Sequence, residues 1–111
     1  MESLQIYRLD SMVKGWFVGA FEPTAFHTTD VEVGVKSYVA GDYDELHHHK
    51  VATEITVLLR GKALMGGIEI GAGDVVLVPP HVAVDFKVIE DCDTVVVKLP
   101  GATNDKYMGG S

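Results

Sequence analysis

Residues Gly41 to Gly61 read GDYDELHHHKVATEITVLLRG, a histidine-rich segment that runs into an apolar, β-branched one. His47 and His49 are separated by one residue. Alternate residues of a β-strand point to the same face, about 7 Å apart, so both imidazoles can reach one cation. Glu54 would add a carboxylate from the next strand. The segment therefore predicts a metal site formed by His47, His49 and Glu54 on a β-sheet.

His48 lies between the two histidine ligands, so strand alternation sends its side chain to the opposite face. We expect that side chain to face outward from the barrel. The internal position of the three histidines argues against a purification tag.

Composition limits the class of protein. The chain has 111 residues, 47% of them hydrophobic, which fits a single domain over residues 1–111 with its own core. The formal net charge of −7 disfavours nucleic-acid and anionic-membrane partners and favours a small-molecule ligand. The sequence shows no long apolar stretch, and its beginning, MESLQIYRLD, lacks a secretory pattern. We therefore expect a cytoplasmic protein.

The single cysteine, Cys92, agrees with a reducing compartment because it cannot form an internal disulfide. It lies in the acidic segment EDCD, which we interpret as a turn, and neighbouring carboxylates discourage thiolate formation. We predict a structural role for it.

Short β-branched segments alternate with turn signals along most of the chain, which is typical of all-β barrels and sandwiches. Gly66-Gly67 predicts a tight hairpin, and residues 71–74 predict another turn. Asn104 to Tyr107 is expected to pack on the domain surface. The predicted strands are Leu4 to Leu9, Trp16 to Phe21, Val31 to Val39, Leu46 to Lys50, Glu54 to Arg60, Lys62 to Ile70, Val75 to Val78, Val82 to Ile89 and Thr94 to Leu99.

Several strands, such as ITVLL, DVVLV and TVVVKL, are apolar on both faces. This indicates burial on each side, with one face lining a barrel and the other packing on further strands or a second subunit. We expect a homodimer.

The spacing from Gly41 through His47, His49 and Glu54 to Gly61 resembles the complete first motif of the cupins. The second cupin motif is only half present. Gly73-Asp74 and Pro79 match it, whereas its later glycine position holds His81 and its histidine position holds Val84. The resemblance covers residues 31–99 and is to small single-domain cupins of the RmlC-like jelly-roll class.

The resemblance implies an all-β, double-stranded β-helix barrel with a divalent ion, often Fe, Mn, Ni or Zn, near its centre. The usual fourth ligand is missing at Val84, but three protein ligands can hold a metal when water or substrate fills the other positions. Two residues are considered as replacements. His81 is expected to be an ordinary loop histidine, and alternation sends Asp85 to the face opposite Val84.

Other polar side chains of the strands could point either into the barrel or to solvent. Glu32, Lys36 and Tyr38 share one face of their strand, which we expect to be solvated, and Lys98 is expected to extend its ammonium group to water. The aromatic residues Trp16, Phe17, Phe21 and Phe26 are expected to serve packing before ligand stacking.

Two functions of different classes follow. In the first, the metal held by His47, His49 and Glu54 acts on a small oxygen-bearing molecule, with dioxygenase, isomerase and lyase chemistry all admissible under the resemblance. In the second, the barrel binds a small metabolite or sugar-like ligand without catalysis, with or without metal. The sequence identifies neither the substrate nor the metal.

Overall fold

β-Branched and aromatic residues dominate the segments that form strands, as their packing preferences require. The computed structural model describes residues 3–101 and 104–110. In these residues the strands are β1 Trp16–Val18, β2 Glu32–Tyr38, β3 Tyr43–His48, β4 Thr53–Met65, β5 Ile68–Gly71, β6 Val75–Val78, β7 Val84–Leu99 and β8 Tyr107–Met108.

β7 connects the two halves of the antiparallel sheet. Its second half pairs with β2, its first half pairs with β3, and β4 runs along most of its length. β4 also pairs with β5 and β6, and β8 joins the free side of β3. The predicted all-β, double-stranded β-helix architecture is therefore confirmed, and it places β3, β4 and β7 around a shared interior.

Two predicted strand breaks are bends inside continuous strands. β4 passes through Gly61, where its register with β7 shifts between Leu58 and Ala63. Gly61 has φ of 96°, and a Cβ atom there would overlap the backbone oxygen of Asp91. The segment EDCD, predicted as a turn, lies within β7 opposite this bend. Glycine allows the close approach of the two strands, so the sheet curls without a break.

The core lies inside the curled sheet. Its buried cluster includes Leu58, Met65, Phe86 and Cys92. Cys92 is fully buried, and burial raises the pKa of its thiol. The predicted structural role of this cysteine agrees with its position.

The N-terminal prediction was wrong. Residues 3–8 form no strand, because they find no pairing partner among the described residues. β1 ends at Val18 rather than Phe21. Helical structure in residues 3–101 and 104–110 is limited to two short 3₁₀ turns, Leu9–Ser11 and Val13–Gly15, and no helix there is long and apolar enough to cross a membrane.

Candidate metal centre

The three predicted ligands lie together. His47, His49 and Glu54 each offer one donor atom, and these atoms all lie within 4.8 Å of one another. The two imidazole rings are 5.5 Å apart between centroids and nearly perpendicular, at 83°. All three side chains are less than one-tenth exposed. Two neutral nitrogens and one carboxylate are a donor set that Fe, Mn, Ni and Zn accept, so the residues fit such an ion.

His47 is held in one tautomer by its own strand. Its Nδ1 lies 2.9 Å from the carbonyl oxygen of Glu45, so Nδ1 carries the proton and donates it. Nε2 then keeps its lone pair for a cation, which is the arrangement that metal-binding histidines usually have.

Burial keeps His49 neutral. Burial, followed by the neighbouring charge of Lys98, lowers the pKa of His49 to about 4. Its Nε2 is buried and has no hydrogen-bond partner among the described residues. A buried ring nitrogen without a partner is costly, and a metal ion bound at Nε2 would supply one.

Glu54 occupies an apolar position in the sheet. It lies in β4 opposite Val78 of β6 and Lys98 of β7, and burial raises the pKa of its carboxyl group. A nearby cation would offset the cost of ionising this buried acid.

Asp105 positions the turn between the ligands, and the sequence reasoning missed this role. Its carboxylate accepts hydrogen bonds from the backbone N–H groups of Lys50, Val51 and Ala52, at 2.9 to 3.2 Å. Burial alone would raise the pKa of Asp105, but these donors together lower it. Only its acidic character was visible in the sequence, because its partners lie about fifty residues earlier.

The ring of His48 turns away from His47, His49 and Glu54, as predicted. It is nevertheless buried, with only 3% of the residue exposed. Its Nδ1 donates to the carbonyl oxygen of Gly109 at 2.8 Å, and its ring stacks on Tyr107 at 5.5 Å. β8 pairs with β3 and places Tyr107 opposite His48, a long-range pairing that alternation does not reveal.

Neither replacement for the fourth ligand joins the group. Val84 lies opposite His47 in the pairing of β3 with β7, and it lines a small pocket together with His47 and Glu54. Asp85 accepts a hydrogen bond from the hydroxyl of Tyr43 at 3.1 Å, as its opposite-face position predicts. His81 is exposed, with φ of 72°, and its backbone N–H donates to the carbonyl oxygen of His49.

A cavity of about 400 Å³ opens above the ligands. Several residues expected to face solvent or to serve packing lie here instead. The wall contains Lys14, Trp16, Lys36, Tyr38, Asp44, His47, His49, Glu54, Val96, Lys98 and Lys106. The prediction of a solvated face for β2 was wrong. Lys36 and Tyr38 on this face line the cavity, and Glu32 on the same face is buried.

Solved structures share this architecture. An uncharacterised protein with a double-stranded β-helix domain from Klebsiella pneumoniae matches with a TM-score of 0.70 and 20% identity, covering 96% of this chain and 93% of that one. A cupin-2 domain protein from Shewanella frigidimarina matches with a TM-score of 0.58 and 16% identity, covering 65% and 72%. This chain has the cupin fold.

The structure of DMSP lyase DddQ from Ruegeria pomeroyi also matches this chain, with a TM-score of 0.70 and 22% identity. The match covers 84% of this chain and 49% of that one, so the chain spans about half of the lyase. No family model matches the chain, and no curated protein does.

Proposed function

We propose that this chain is a metal-dependent cupin enzyme in which His47, His49 and Glu54 hold a divalent transition-metal ion. The ion is Fe, Mn, Ni or Zn, and the substrate is a small oxygen-bearing organic molecule. The observation that carries the proposal is the convergence of three buried donor atoms within 4.8 Å at the base of a substrate-sized cavity.

When bound, the ion would supply Lewis-acid polarisation of a ligand oxygen. The side chains of the cavity have their own tasks. His47 keeps its proton on Nδ1, bonded to Glu45, so its other nitrogen faces the site without a proton. Burial raises the pKa of Tyr38 to about 12, so its phenol stays protonated at neutral pH and can donate a hydrogen bond. Val84, Phe86 and Val96 give the pocket that His47 and Glu54 share an apolar wall.

The reaction class is lyase, dioxygenase or isomerase chemistry. The resemblance in fold to a DMSP lyase supports the first of these, since it shows that a lyase can be built on this architecture.

Calorimetric titration tests the metal proposal. Metal-free protein is titrated separately with Mn²⁺, Fe²⁺, Ni²⁺ and Zn²⁺, and we expect at least one of them to bind with one-to-one stoichiometry. His49→Ala should abolish this binding, whereas His81→Ala, which changes an exposed histidine next to the site, should retain it. Equal binding by the two variants would contradict the proposed ligand set.

A second candidate function is a non-catalytic carrier or sensor of a small or sugar-like molecule without metal. The specific observation in its favour is Val84, an apolar side chain at the position where the second cupin motif has a histidine. If the protein still binds a small molecule after chelation but converts none of the molecules it binds, this second function is favoured.

We also propose a homodimer that uses the outer face of β4, β6 and β7. On this face Ile55 lies opposite both Leu77 and Val97, and Val57 lies opposite Val75 and Val95. Val75 and Leu77 are 64% and 60% exposed. A second copy would cover this exposed apolar surface, and large exposed apolar patches are uncommon on monomeric soluble proteins.

Light scattering after gel filtration tests the dimer. Leu77→Glu should shift the mass towards that of the monomer. Ile68→Glu is the matched control because Ile68 is also exposed, at 70%, but lies at the β4–β5 hairpin. A wild-type monomer at micromolar concentration would contradict the proposal. The cytoplasmic location stays a prediction.

A further inference from the structure

The cavity concentrates positive charge in an acidic protein. The chain has a formal net charge of −7, with nine lysines and arginines against sixteen acidic residues. Two carboxylates face the cavity, from Asp44 and Glu54. Four lysines outnumber them there: Lys14, Lys36, Lys98 and Lys106. Nearly half of the basic residues of the chain therefore line one small space, and the remaining surface is strongly acidic.

Two of these lysines lie close to one indole ring. The ammonium nitrogen of Lys36 lies 4.5 Å from the ring centroid of Trp16, and that of Lys98 lies 5.0 Å from it. The Lys36 ammonium also donates a 2.6 Å hydrogen bond to the carbonyl oxygen of Lys14. Both charges are thus held at defined positions on an aromatic wall rather than left to extend freely into water.

This arrangement brings like charges together, and no carboxylate of the described residues is close enough to a cavity lysine to form an ion pair. The ion pairs in residues 3–101 and 104–110 are Arg8–Asp10, Arg60–Asp93 and Lys62–Glu69, and none involves a lysine of the cavity. Burial, followed by the charge of Lys98, lowers the pKa of Lys36 to about 8. The folded protein therefore tolerates a repulsion that an anion in the cavity would relieve.

The backbone beneath the lysines is also constrained. Lys14 has φ of 52°, a left-handed conformation that costs free energy for a residue with a side chain. Gly15 follows with φ of 80°, and a Cβ atom there would overlap the carbonyl oxygen of Val35. The 3₁₀ turn is thus pressed against β2, which fixes the carbonyl oxygen that Lys36 contacts.

We propose that Lys36 and Lys98, which both lie against the indole ring of Trp16, bind the oxyanion of a small carboxylate- or phosphate-bearing ligand. The indole ring would contact its carbon skeleton, and the ligand would extend from there towards His47, His49 and Glu54. This inference rests on the proposed function for the direction in which the ligand extends, and it names the substrate class of that same site. The anion site itself needs no metal.

Intrinsic fluorescence tests this site directly because Trp16 is the only tryptophan of the chain. The protein is dialysed against chelator and titrated at pH 7 with malonate, with inorganic phosphate and with malonamide, the uncharged analogue of malonate. We expect a saturable change in emission with malonate, with phosphate or with both, and none with malonamide. The anion that binds more tightly indicates whether the natural ligand carries a carboxylate or a phosphate.

Charge-removing variants locate the site. Lys36→Met and Lys98→Met should each weaken anion binding by about tenfold or more, the effect of losing one charge-assisted contact. Lys87→Met is the matched control because Lys87 lies on the same strand as Lys98 but is exposed, and it should bind like wild type. Wild-type affinity in both cavity variants would overturn the proposal.

A second measurement uses only the wild-type protein. Iodide should quench Trp16 more strongly than caesium does, relative to neutral acrylamide, because the cavity lysines attract anions. Equal quenching by the two ions, or no saturable response to either malonate or phosphate, would overturn the anion site. Because the protein is metal-free throughout, these results are separate from a failure of metal binding in the calorimetric titration.

Discussion

The backbone N–H of Ala52 donates a 2.9 Å hydrogen bond to the carboxylate of Asp105, a residue 53 positions later in the chain. Both residues are buried. The bond ties the segment before β8 to the turn that separates His49 from Glu54, so a residue outside the ligand set controls how the ligands are spaced.

Replacing Asp105 by Ala should destabilise the protein by about 2 to 4 kcal/mol, because several backbone N–H groups lose a charged acceptor. Urea unfolding of the metal-free protein measures this. Asp30→Ala, which removes an exposed carboxylate, is the control and should change stability by less than about 0.5 kcal/mol.

The Asp105 effect should depend on pH. Because the hydrogen bonds hold the pKa of Asp105 below its ordinary value of 3.8, its stabilising contribution is present above that pH. It is lost as pH falls through the folded-state pKa. A difference between wild type and Asp105→Ala that stays constant down to pH 2 would contradict this assignment.

Gly61→Ala should cost about 2 kcal/mol or more, since the residue combines positive φ with close approach to the backbone of Asp91. Gly71→Ala is the control, because a Cβ atom at Gly71 meets nothing within 4 Å. Thermal unfolding of the two variants should separate them clearly, and equal midpoints would show that β4 does not need glycine at its bend.

Glu54→Gln should stabilise the metal-free protein at pH 7 by about 1 kcal/mol, because it removes a charge from a buried site. The raised pKa of Glu54 means that the folded state prefers the neutral acid. The difference in the free energy of unfolding between Glu54→Gln and wild type should therefore shrink as pH falls. The same variant should lose the stabilisation that metal gives to wild type. Glu90→Gln, at an exposed position of β7, should change neither quantity.

Anion binding in the cavity should weaken as pH rises through about 8, where Lys36 loses its proton. The groups that act on Lys36 there are Lys98, Lys14 and Lys106, which lower its pKa, and Asp44, which raises it. Malonate affinity measured from pH 6.5 to 9.5 checks this. In Lys36→Met the remaining affinity should be flat across pH 8, and an unchanged slope would assign the titration to another group.

Local pattern was enough to predict that the side chains of His47 and His49 lie together, because alternate residues of extended backbone share a face whatever the strand pairs with. It was not enough for Lys36 and Lys98, because which face is solvated depends on how β1, β2 and β7 curl around each other. The same limit explains His48, whose cover comes from β8 at the far end of the chain.

Strand boundaries show a related limit. Gly61 carries a turn signal, yet in β4 it permits a bend with the ladder intact on both sides. Leu4 to Leu9 has strand-forming residues, but a strand also needs a neighbour, and pairing is a long-range property that composition does not contain.

The most direct test is the metal content of untagged protein after reconstitution, measured by elemental analysis. If His47, His49 and Glu54 hold a divalent ion, wild type and His81→Ala should each carry about one equivalent of Fe, Mn, Ni or Zn, and His49→Ala should carry almost none. Wild-type protein that stays essentially metal-free under these conditions would contradict the account.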